Sequence, residues 1–105
     1  MAPNRRDAMP DLDEMTAFAR AVSHVLRTER QRRKWTLAET GQRVGLSVSV
    51  LCRVELGVRP LDMSRLVGLC AVLGVTPARV ITVAQGEAFP LGWPDQDTYY
   101  NGSRS

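Results

Sequence analysis

Apolar residues occur in five runs, separated by glycine, proline and small polar residues. Met15, Phe18, Val22, Val25 and Leu26 recur at intervals of three and four, the spacing that lines one helix face. Asp11, with Glu14 three residues on, predicts a capping box. A first helix is expected from Leu12 to Lys34. Thr36 with Glu39 predicts a second capping box, and the helix behind it stops at Gly45. Ser47 caps a third helix that continues through Glu55 and is closed by Gly57. Asp62 caps a fourth, Met63 to Leu73, with Met63, Leu66, Val67, Leu69, Cys70 and Leu73 expected on its inner face and Gly74 ending it. Thr76 and Pro77 open a fifth helix over 77–85. Val80, Ile81 and Ala84 should face inward there, with Gly86 as the stop. The expectation is an all-α, five-helix fold.

The stretch from Thr36 to Leu56 has the outline of a helix-turn-helix, two short helices joined by a glycine-containing turn. Gly41 falls on the inner face of the first, where a small residue allows close approach. Leu46 of the turn and Leu51 and Val54 of the second helix point inward, and Val48, Ser49, Cys52 and Arg53 outward. A helix with a short, mostly uncharged outer face suits the major groove.

From Leu26 to Ile81 the chain resembles the lambda-repressor-like (Cro/repressor, Xre-type) DNA-binding domains. LRTERQRRKWT, GQRVGLS, RVELG and LVGLCAVLGVTPARVI occur in that family's order and near its spacing. The resemblance implies a five-helix lambda-repressor-like domain and a sequence-specific DNA-binding transcriptional regulator. It implies that Ser47 caps the recognition helix and reaches a phosphate. Val48 and Ser49 would read base edges, with Cys52 on the same face. Arg53 would contact guanine. Thr36 and the Leu37 amide would meet phosphate, with Arg43 and Arg59 as further phosphate partners. Arg30 and Glu55 match a structural ion pair, against which a surface pair is the plainer reading. The chain departs from the family pattern at Leu37, where many relatives have glutamine, and at Thr40, a usual leucine. Its recognition face of Val48, Val50 and Cys52 also has little hydrogen-bonding capacity. The first helix is longer than usual; its extra turns would cover the C-terminal extension or form a subunit interface.

Charge sharpens the picture. The net charge of the 105 residues is only +3. However, Arg20, Arg27, Arg30, Arg32, Arg33 and Lys34 face Glu29 alone in the 16–35 block, a field suited to phosphate. Trp35 is expected to plug the core between the first two helices, base stacking being the alternative. Residues 1–11 read as a disordered arm, 12–86 as the helix-turn-helix domain, and 87–105 as an extension suited to dimerisation. Phe89, Leu91 and Trp93 are too apolar to be left free; from Asp95 the tail is polar.

Cys52 and Cys70 fit no metal or redox spacing. Cys52 on the groove-facing side raises the idea of a redox switch, against a plain half-buried thiol. Cys70 reads as buried filler. His24 stands alone, and no nucleophile set or phosphate-binding glycine loop is present, so no enzyme, metal or cofactor is expected. Without a long apolar run or a signal segment, the expectation is a cytoplasmic protein, no membrane span, and double-stranded DNA as partner. A homodimer on a palindromic operator follows from the few base pairs that one small domain reads. The alternative is an antitoxin-like or regulatory protein-interaction module on the same fold.

Overall fold

The computed structural model describes residues 12–93, which form five α-helices and no strand. These are α1 (Leu12–Arg32), α2 (Leu37–Val44), α3 (Val48–Glu55), α4 (Met63–Leu73) and α5 (Pro77–Ala88). The Asp11 cap, the N-terminal arm and the tail from Asp95 lie outside the described residues.

α1 is the spine. It packs most extensively on α5 and also touches α3 and α4. The α1–α5 pair is antiparallel: His24 approaches Glu87 at 3.5 Å, while Phe18 stacks near Phe89. The core joins Val22, Val25 and Leu26 of α1 to Leu51 and Val54 of α3, Leu66, Leu69, Cys70 and Leu73 of α4, and Val80 and Ala84 of α5. Burial pushes the Cys70 thiol pKa up, as expected of a thiol used as apolar filler.

The helix starts obey local chemistry. Thr36, Ser47, Asp62 and Thr76 each accept the amide three residues on, and Thr36 with Glu39 completes a capping box. Such a cap is worth about 1 kcal/mol.

Several expectations are corrected. α1 ends at Arg32, and the following turn is closed by Lys34 in the left-handed region at φ 59°. The lysine is held there by the hydrogen bond its amide donates to the Gln31 carbonyl and by the one the Trp35 amide donates to the Arg30 carbonyl. α5 runs through Gly86 to Ala88. A lone glycine lowers helix propensity without ending a helix; Pro90 disfavours helical backbone at Phe89, which leaves the helix at φ −129° and ψ 68°, and is the real stop. Met63 and Val67 are exposed, so the buried stripe of α4 is narrower than its apolar content suggested. Met15 is also exposed. Leu91 is fully exposed, although Phe89 and Trp93 form an aromatic trio with Phe18 at centroid distances of 5.1–6.2 Å.

Candidate nucleic-acid interface

α2 and α3 are joined by Gly45, which adopts φ 77°, a conformation that costs little only for glycine. The turn is set against α2 by Gly41. A β-carbon there would collide with the Leu46 carbonyl oxygen. Gly41 therefore admits the turn's backbone, a different role from the helix–helix approach read from its position. Leu46 in turn donates its amide to the Gly41 carbonyl at 2.9 Å.

With the turn fixed, α3 is held by its inner face. Leu51 and Val54 are wholly buried. The outer face is free: Val48 is 48% exposed, and Ser49 and Arg53 are open to solvent. Cys52 is half-buried at the edge of this face. Val50, grouped with it in the sequence, instead packs against the core. Ser47 accepts the Val50 amide at 3.2 Å, which leaves its hydroxyl proton to donate outward. Among the described residues no carboxylate pairs with Arg53, Arg43 or Arg59.

The Arg30 guanidinium grips Glu55 with two bonds of 2.7 and 2.9 Å and donates a third, 2.7 Å, to the Trp35 carbonyl. The Arg30 and Glu55 side chains are 11% and 6% exposed. This clamp ties the end of α1 and the entry to α2 to the last turn of α3. It sets the orientation of α3 relative to the spine.

The basic block is partly consumed. Arg33 bonds Glu29 at 2.8 Å and Arg32 lies 3.6 Å from it, while Arg30 is committed to Glu55. The Arg33 hydrogen bond, with the charges of Arg32, Arg33 and Arg79, holds the Glu29 carboxyl below its usual range despite its burial. Glu29 falls at three- and four-residue spacings from the arginines it takes, the one signal by which its role was legible. Among the described residues, Arg27 and Lys34 have no such partner.

At the start of α2 the Thr36 backbone N–H is not free: it donates to Glu39 at 2.8 Å. That bond keeps the Glu39 carboxyl below its usual range, placing a negative charge in the first turn. The Leu37 side chain is half-buried against the core, so only its amide is available to an anion. The Arg43 guanidinium carbon lies over the Trp35 ring, 4.1 Å from its centroid. Stacking uses the face of the guanidinium and leaves its N–H edge. Trp35 thus packs on the core with one face and carries a cation on the other, a contact across eight residues that the sequence did not suggest.

Residues 21–80 match the family described as helix-turn-helix domain. This chain belongs to that family. Among solved structures, its helix-turn-helix fold is similar to that of the clp gene regulator ClgR from Corynebacterium glutamicum. The TM-score is 0.66 at 24% identity, over 83% of this chain and 87% of that one. No curated protein matches the sequence. None of the five described helices is by itself long and apolar enough to cross a membrane.

Proposed function

We propose that this chain is a sequence-specific DNA-binding transcriptional regulator that acts as a homodimer on a palindromic operator. One observation carries the reading: α3 is buried along Leu51 and Val54 while Val48, Ser49 and the unpaired Arg53 stand outward beyond a glycine turn. An outward helix of that kind is what a major groove accepts. In this reading Val48 touches a thymine methyl, Ser49 hydrogen-bonds a base edge, Cys52 packs at the margin and Arg53 takes guanine. Ser47, the Leu37 amide beside Thr36, the free edge of Arg43, and Arg59 meet phosphates. ClgR, by its name a gene regulator, is consistent with this role. Dimerisation would use the exposed Leu12, Met15, Leu91 and Trp93.

Selection from a random duplex pool at moderate salt tests the proposal. The expected outcome is an enriched palindrome, which Arg53→Ala binds about 1–3 kcal/mol more weakly with relaxed choice at one position per half-site. If no sequence is enriched and only feeble salt-sensitive binding remains, the exposed Val48, Leu56 and Val58 mark a protein-interaction surface instead.

A further inference from the structure

A cleft lies between α1, α4, α5 and the loop that follows α3. Its volume is about 240 Å³, small beside the 300–1,000 Å³ of drug-sized sites. Phe18, Val22, Leu61, Leu66 and Ile81 make it apolar, and the polar side chains of its lining are Ser23 and Arg59. Arg59 is half-buried, and no carboxylate among the described residues neutralises it. Its backbone is fixed: the Val58 and Arg59 amides both donate to the Arg53 carbonyl, at 3.1 and 3.2 Å. The residue that carries this cation is therefore anchored by its backbone in the wall of a largely apolar hollow.

The geometry points to a binding site for a small amphipathic carboxylate. Its apolar body would displace water from Phe18, Val22, Leu66 and Ile81, and its carboxylate would pair with Arg59. The cation selects an anionic head group, because an uncharged ligand of the same shape would leave Arg59 unpaired. A regulatory consequence rests on the DNA-binding reading above. Arg59 cannot hold the ligand's carboxylate and a phosphate together, so the bound acid removes one phosphate contact and weakens DNA binding.

The test is a titration of the full chain with octanoate and with 1-octanol, followed by backbone amide NMR. Octanoate should shift the amides of Val22, Gly57, Arg59 and Leu61 and bind roughly tenfold or more tightly than octanol. Arg59→Gln should abolish that preference and Arg59→Lys should retain most of it. Ala19→Phe, at an exposed helix position on the cleft wall, should block both ligands while the amide spectrum stays dispersed. Equal binding of octanoate and octanol, shifts elsewhere, or no binding at millimolar concentration overturns the site. So does a dimer that Ala19→Phe converts to monomer, since the cleft would then seat a second copy of the chain.

The regulatory step has its own readout, binding to a random-sequence duplex across a salt series. Saturating octanoate should weaken binding and lower the salt slope by about 0.9, one phosphate's worth. An unchanged slope overturns the competition and leaves the site standing. A chain that binds octanoate but no duplex even at low salt sinks the DNA reading and the competition with it, again leaving the site intact.

Discussion

Arg30 shows how much one side chain can decide. It bonds Glu55 twice and the Trp35 carbonyl once, so α1, the α2 entry and α3 are referenced to one guanidinium. Glu55→Gln leaves a largely buried cation without its counter-ion and is expected to cost about 3–5 kcal/mol, read from urea unfolding. Replacing both partners, Arg30→Met with Glu55→Leu, should recover most of that stability, because charge desolvation disappears with the charges. If the double variant is as unstable as the single one, the pair is worth more than its burial cost. Gly41 makes a second residue-scale case. Gly41→Ala forces a β-carbon into the Leu46 carbonyl and should cost about 1–3 kcal/mol of stability, as overpacking does. It should also weaken any DNA binding further, because the turn sets the tilt of α3. A fully stable Gly41→Ala protein would show that the turn has another way to close. Thr40 replaces an expected leucine and is still wholly buried, with its hydroxyl lacking a partner. Thr40→Val, of nearly the same volume, is expected to raise the thermal midpoint, since an unpaired buried hydroxyl is a net cost.

At the scale of elements, the acid limb of stability belongs to the C-terminal end of α1. Glu29 has its folded pKa lowered by Arg33, Arg32 and Arg79. Its contribution is therefore complete above the ordinary carboxylate range and lost as pH falls through the depressed folded value. Glu29→Gln should reduce stability at neutral pH, and the gap from the parent should close steadily below about pH 4 in thermal melts. A gap that stays constant with pH would assign the loss to packing instead. The elements themselves were well marked in the sequence. Thr36, Ser47, Asp62 and Thr76 sit where helices start, and Gly45 and Gly74 supply the left-handed stops. These signals are local, and local chemistry is what a sequence displays. The misreadings came where a tertiary contact or a proline outweighed a local cue. Gly86 was overruled by Pro90 and by the aromatic trio that receives Phe89. Lys34 takes a backbone usually reserved for glycine, and nothing in its neighbours announces it. The outer face of α3 was legible because helical period separates Leu51 and Val54 from Ser49 and Arg53. The Arg43–Trp35 stack was not, because it joins the linker before α2 to that helix's last turn, eight residues on.

At the scale of the molecule, the two ends of the described chain are side by side. α1 and α5 run antiparallel, and Phe18, Phe89 and Trp93 fasten them together at the end remote from Arg30. Exposed Leu12, Met15 and Leu91 surround that fastening. Leu91→Asp is expected to leave the monomer's thermal midpoint nearly unchanged, since Leu91 touches nothing that it would lose. If this end forms the dimer contact, the same substitution should shift light-scattering mass towards one chain. A dimer indifferent to Leu91→Asp would place the contact elsewhere. The antiparallel embrace also has a kinetic side. α1 and α5 meet only after the intervening helices have been drawn into a closed loop, and the entropy of that closure precedes the reward of burial. Folding should accordingly be slower than for helix pairs adjacent in sequence. Substitutions along the α1–α5 seam should then slow folding more than they speed the opening of the native protein.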